Sequence, residues 1–262
     1  METARAMEKL LVPLEDAVPS GHKFSPIGNV SRLQGERVHV HIAVEIGQRI
    51  VRGEYPPGSI LPNEAKWAEI FKVSRSAVRE AVKMLTAKSL LASRPKIGSR
   101  VEPRARWNLL DRDVLDWYSA VPDSARFLAQ VQEFRHFVEP EAAALAATRR
   151  SEAQMADMSL ACREMKAAPS RDIWMEADIR FHLAILAGSG NDLLLPLGVI
   201  VDSALRQLFL FLYPSDVDLG KVTALHASVE RAIRLQRPDA ARKAMRQLLD
   251  YTDAAIARKL RG

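Results

Sequence analysis

Only two residues, Lys72 and Val73, separate two helix-forming segments, a short one at residues 63–71 and a longer one at residues 74–88. A link that short makes the helices turn sharply and share one small core. In the second segment Val78, Ala81, Val82 and Leu85 fall three and four apart, so they form a buried stripe. Ser74 is placed to cap this segment, as Asn63 is placed to cap the shorter one. The opposite face is polar: Arg75, Arg79 and Lys83 stack on one side, with Ser76 near the start. An Arg near the N-terminus of a groove-inserted helix can set its fork on guanine O6 and N7, whereas Lys or Arg further along more often meets phosphate. The spacing therefore predicts a helix-turn-helix whose second helix reads double-stranded DNA.

The flanking residues extend that unit. Val38, Ile42, Ile46 and Ile50 recur every four residues, which predicts a helix stopped by Gly53. Residues 90–93 and 99–101 read as two short strands around Arg94-Pro95-Lys96-Ile97-Gly98, a wing. Charge follows the same boundary. Of the 38 Lys+Arg and 32 Asp+Glu in the 262 residues, the segment 35–106 carries 14 basic and seven acidic side chains, while 107–262 carries 20 and 21. A compact basic module followed by a neutral one is the footprint of a nucleic-acid reader joined to a second domain.

That second part shows helix signals at 124–149, 151–167, 171–187, 191–212, 219–236 and 238–260, broken at Pro169, Gly188-Ser189-Gly190, Pro214 and Arg237-Pro238. The fold class expected is mainly α, a winged helix-turn-helix followed by an all-α bundle. Residues 1–34 read as a flexible arm, 35–104 as the DNA-binding domain, 105–122 as a linker and 123–262 as a ligand-sensing and dimerisation domain. No apolar run approaches the roughly 18 residues that span a bilayer, and residues 1–19 lack the pattern of a signal peptide. A cytoplasmic protein without a membrane partner is the expectation. Cys162 is the single cysteine, which excludes an internal disulfide or a cysteine-based zinc cage and suggests a small core residue.

The run Gly53-Glu54-Tyr55-Pro56-Pro57-Gly58-Ser59-Ile60-Leu61-Pro62-Asn63-Glu64, followed by Val73-Ser74-Arg75-Ser76-Ala77-Val78-Arg79-Glu80-Ala81, resembles the winged-helix domain of the GntR family of bacterial transcription regulators. The resemblance implies that Arg75 and Arg79 read operator bases, that Ser74 and Ser76 touch DNA, and that Lys96 to Gly98 form the wing tip. Many family members carry Arg just after the Pro-x-Glu of the second helix; here that residue is Ala65, with Lys66 beside it.

In the second half, Glu133-x-Arg135-x-x-x-Glu139, Asp178-x-x-Phe181-His182, Gly190-Asn191 and Leu225-His226 resemble the FCD sensing domain found in one branch of that family. The segment from Trp107 to Trp117 further resembles the galactonate-operon repressors of that branch, which implies a sugar-acid effector, repression relieved by ligand, and a homodimer. Independently of the resemblance, Asp178 and His182 lie four apart on one helix and can bind one ion or polar ligand, which His226 can join from another helix. A lone histidine or an Asp-x-x-x-His pair is also an ordinary structural feature. In many relatives a third histidine, in the pattern Met-x-x-His-Leu, completes a divalent-metal site; here the residues are Met245-Arg246-Gln247-Leu248-Leu249, so Leu248 stands in its place. A divalent metal such as zinc is then an option held at lower affinity by Asp178, His182 and His226. Arg135 is implied to point into the cavity, where its fork matches an effector carboxylate, the alternative being a surface pair with Glu139 or Glu133. The effector set is thus Arg135, Asp178, His182 and His226.

Two other classes compete with a ligand-responsive regulator. A small metal-dependent hydrolase would use the same Asp178, His182 and His226, but no clear general base, nucleophile or oxyanion cluster accompanies them. A nonspecific architectural DNA protein would need the wing and basic patch but leaves the polar group in the second domain unexplained.

Overall fold

The computed structural model describes residues 38–94, 98–119, 124–212 and 217–261, which fall into two compact units, 38–119 and 124–261. The arm at 1–34 and the wing residue Lys96 lie outside the described residues.

In the first unit, helix α1 (Val38–Val51) buries Ile42, Ile46 and Ile50 completely, as their four-residue spacing requires. Helix α2 (Glu64–Phe71) starts where the Asn63 side chain accepts a hydrogen bond from the Lys66 amide at 2.9 Å. It stops at Lys72, which takes the left-handed conformation (φ 54°, ψ 47°) and so reverses the chain within two residues. Helix α3 (Arg75–Ala87) follows, with Ser74 Oγ accepting from the Ala77 amide at 3.2 Å and the stripe Val78, Ala81, Val82 and Leu85 buried. Strands β1 (Leu91–Arg94) and β2 (Gly98–Val101) pair antiparallel from Leu91↔Val101 to Arg94↔Gly98, close to the two strands expected of a wing.

The segment read from sequence as a linker contains a helix, α4 (Arg112–Ser119). Asp111 Oδ1 accepts from the amides of Asp113 and Val114 at 3.1 and 3.3 Å, which satisfies the start of the helix. Val114 and Trp117 then join the core of the first unit. The Trp117 ring lies so close to α1 that a Cβ on Gly47 would be 2.2 Å from its Cζ3. Lys88, just past α3, reaches Asp111 and Asp113 at 2.8 Å each and fastens α4 from the other side.

The second unit is an all-α bundle among its described residues: α5 (Ser124–Arg149), α6 (Glu152–Ala167), α7 (Arg171–Gly188), α8 (Gly198–Leu212), α9 (Leu219–Arg234) and α10 (Pro238–Arg261). Helix α5 packs on α10 and α7, α6 on α7, and α9 on α10 and α6, around a core that includes Met158, Phe181, Ile185, Val229, Ile233 and Met245. Helix α8 begins seven residues later than the pattern at 191–212 predicts. Pro196 has no amide to donate and disfavours a helical Leu195, and the Asn191 side chain instead accepts from the Leu193 amide at 3.1 Å to hold a turn. Cys162 is half-buried and packs against the bundle core; burial, with Glu230 and Asp178 nearby, pushes its thiol up to about 12, so it offers no reactive thiolate.

Candidate functional site

Two sets of residues predicted from sequence come together, one in each unit. On α3 the side chains of Ser74, Arg75, Ser76, Arg79 and Lys83 are all exposed on one side, opposite the buried stripe. The Ser74 and Ser76 hydroxyls lie 2.9 Å apart. Arg75 has no ion-pair partner among the described residues. Arg79 does: Nε and Nη2 donate to the Glu64 carboxylate at 3.2–3.3 Å. Lys83 pairs with Glu80 at 2.9 Å. No acid stands in the first turn of α3, so its exposed N-terminus presents backbone N–H groups and positive charge together. Gly98 opens β2 at φ 98°, a conformation that glycine adopts without strain.

In the second unit α5, α7 and α9 converge on a buried polar group. Asp178 and His182 project from the same face of α7 and His226 comes from α9. His226 Nε2 lies 2.6 Å from Asp178 Oδ1 and 3.2 Å from His182 Nε2, and His182 Nε2 lies 3.7 Å from Asp178 Oδ1. All three side chains are more than nine-tenths buried. The outer ring nitrogens also have close neighbours. His226 Nδ1 donates to the Val222 carbonyl at 2.9 Å, and His182 Nδ1 lies 2.5 Å from Glu139 Oε2. A carbonyl can only accept, so His226 Nδ1 carries a proton, and the 2.6 Å contact of its Nε2 with the Asp178 carboxylate needs a second proton or a cation between the two atoms. His182 Nδ1 approaches Glu139 without hydrogen-bond geometry.

Arg135 completes the group from α5. Its Nε donates to Glu139 at 2.6 Å and its Nη1 to Gln132 at 3.1 Å, and it is 2% exposed. Both readings of this residue are thus partly met. It pairs with Glu139, but in the interior rather than on the surface, and it also lines a cavity with Asp178, His182 and His226. Burial alone would raise the Glu139 carboxyl; the Arg135 charge and the His182 contact outweigh it and hold the group down at about 2. Burial acts the same way on Asp178, and the neighbouring His226 reverses it, leaving that carboxyl below its ordinary value.

These residues fit a divalent cation. Two imidazole nitrogens and a carboxylate oxygen lie within 2.6–3.7 Å of one another, near enough to share one ion after a small outward shift, and His226 is oriented by the Val222 carbonyl on its far nitrogen. With neutral imidazoles the charges balance, Arg135 and Arg171 of the cavity lining against Asp178 and the adjoining Glu139. A bound divalent metal would make the site net positive. Leu248, which the resemblance sets where a third imidazole would stand, lines the same cavity.

Sequence models of known families cover both units. The gntR family of bacterial regulatory proteins matches residues 39–101, and the FCD domain matches residues 130–251. The chain belongs to the GntR family. It carries an FCD domain behind its winged helix. It is 37% identical over 215 residues to YieP of Escherichia coli, an uncharacterized HTH-type transcriptional regulator, across 81% of this chain and 92% of that protein. It is also 37% identical over 205 residues to the galactonate operon transcriptional repressor of the same organism, across 78% and 90%. The solved structure of Lar from Listeria monocytogenes shares the fold, with a TM-score of 0.56 and 20% identity over 84% of this chain and 96% of that one. The two Escherichia coli relatives are transcription regulators rather than enzymes, so the hydrolase alternative has no support. No helix among the described residues is long and apolar enough to cross a membrane.

Glu139 and Gln132 are the residues that sequence reasoning left outside the site. Glu139 was visible four residues after Arg135, yet that spacing fits an exposed pair equally well. Only the packing of α5 against α7 and α10 turns it inward.

Proposed function

We propose that this GntR regulator is a cytoplasmic repressor that binds double-stranded operator DNA as a homodimer and is released by a small carboxylate bound in its FCD domain. The observation that carries the effector reading is the convergence of His182 Nε2, His226 Nε2 and Asp178 Oδ1 beside Arg135. Arg135 has five N–H donors and commits three of them to Glu139 and Gln132, which leaves one on each terminal nitrogen for a ligand. Asp178, His182 and His226 would hold a divalent metal, whose charge would add to that of Arg135 in attracting a carboxylate. The protein's own groups do the rest: Arg135 orients the acid, while the Val222 carbonyl holds the His226 imidazole.

On the DNA side, Arg75 and Arg79 read base edges, and Ser74, Ser76, Lys83 and the Lys96 to Gly98 tip meet the backbone. Two such helices on a dimer must meet half-sites one turn apart, so a change in their separation costs several contacts at once. The galactonate repressor among the relatives supports a sugar acid as one effector to test. Fluorescence anisotropy on DNA upstream of the protein's own gene, with and without organic acids and chelator, tests the reading. Release of the DNA by an acid, with the release lost in Arg135→Ala, is the expected result; binding that no acid alters overturns it.

A further inference from the structure

The walls of the sensor cavity are unlike its charged floor. Beyond Arg135 and the three converging side chains, the lining includes Leu205, Leu208, Phe209, Val222 and Leu248, and apolar surface predominates. Arg171 and Tyr251 add a guanidinium and a hydroxyl to the lining, while two other polar side chains are committed elsewhere. Trp174 Nε1 donates to Thr223 Oγ1 at 2.9 Å, and Thr252 Oγ1 donates to the Leu248 carbonyl at 3.2 Å. A polyhydroxylated acid would bury more hydroxyls than these few polar groups can partner, the rest against hydrocarbon, at a cost for each. The cavity is small, about 90 Å³, and is partly open to solvent.

We infer that the effector is a compact monocarboxylic acid with an apolar body, its carboxylate at Arg135 and the His182–His226–Asp178 group and its hydrocarbon against Leu205, Leu208, Phe209 and Leu248. This rests on the carboxylate reading above and narrows it, since a bare alkyl chain leaves nothing unsatisfied against these walls. Leu248 puts a branched alkyl group in the same lining as Arg135, Asp178, His182 and His226, so hydrocarbon and charge share one cavity.

Calorimetric titration of the full-length protein, with and without added zinc, tests this with straight-chain acids from acetate to hexanoate, and with galactonate. Affinity is expected to rise about fourfold for each methylene until the chain fills the cavity. Galactonate is expected to bind about tenfold or more weakly than pentanoate. In Phe209→Ser, a half-buried position, acetate should bind as before while the gain per methylene shrinks. Galactonate binding more tightly than pentanoate, or affinity independent of chain length, overturns the apolar inference and leaves the carboxylate reading standing. Binding of none of these acids overturns both.

Discussion

Arg79 on the recognition helix is held by Glu64 at the start of α2, with Nε and Nη2 both within 3.3 Å of the carboxylate. The pair is exposed, so it adds little to stability. Its effect is on aim: a guanidinium anchored across the turn has fewer rotamers to give up when it meets a base. Glu64 also places a negative charge where phosphate approaches. Glu64→Ala should therefore strengthen binding to random DNA while narrowing the ratio between promoter and random DNA. Anisotropy titrations on both DNAs at two salt concentrations decide it, and an unchanged ratio would show that Arg79 needs no such support.

Arg75 has no such anchor and lies in the first turn of α3, next to the cap. Arg75→Ala should cost about 1–3 kcal/mol of discrimination between promoter and random DNA, with little change in fold. Lys83→Ala should instead weaken both DNAs alike and lower the salt dependence by about one phosphate contact. Equal loss on both DNAs for Arg75→Ala would reassign it to the backbone.

The recognition helix was legible because its cap, stripe and polar face are all local in sequence, within residues 74–88. The sensor was legible only in part. Asp178 and His182 share a helix turn that His226 can join from another helix, and the family resemblance points Arg135 into the cavity. The interior location of Glu139 depends on packing between α5, α7 and α10, a long-range property that periodicity does not carry. Helix α4 was missed for a different reason. Its signal, Asp111 before Val114 and Trp117, is short, and a segment of eight residues is stable only because α1 and Lys88 hold it.

The depressed Glu139 carboxyl makes the second unit acid-sensitive. Its pKa falls from 4.5 in the open chain to about 2 in the fold, so the stabilisation is fully present above about pH 4.5 and is lost as pH falls toward 2. The difference corresponds to an amount on the order of 3 kcal/mol. Denaturation followed by circular dichroism should show stability dropping over that window. Glu139→Gln should lower stability at neutral pH and flatten the drop; a drop equally steep in the variant would assign it to other carboxylates.

Zinc offers a direct probe of the three converging side chains. At about 100 times its dissociation constant a ligand adds about 2.7 kcal/mol to the folded state, so the melting temperature should rise with added zinc and return with chelator. Asp178→Asn and His226→Ala should remove the rise. A second group, His136, Asp250 and Asp253, is less buried and is the natural control. His136 is already paired with Asp253 at 2.7 Å. A rise that survives Asp178→Asn but disappears in His136→Ala would place the ion there and take the charge argument away from the sensor cavity.

Gly47 is where α4 is most exposed to test. The Trp117 ring occupies the space a side chain would need, with ring carbons 2.2–2.8 Å from an added Cβ. Alanine is the better helix former, by about 1 kcal/mol in an exposed position, so propensity alone predicts that Gly47→Ala stabilises α1. The clash opposes this, because the indole can move away only by lifting α4 from the core it shares with Val114. The expected result is a net loss of about 1–3 kcal/mol, with Trp117 more exposed to a fluorescence quencher in the variant. Trp67 and Trp107 also belong to this unit's core, so the comparison should be made in a background that retains Trp117 and replaces the other tryptophans with Phe. A variant more stable than the parent, with Trp117 equally protected, would mean that α4 is held by the Lys88 contacts to Asp111 and Asp113 rather than by its packing on α1.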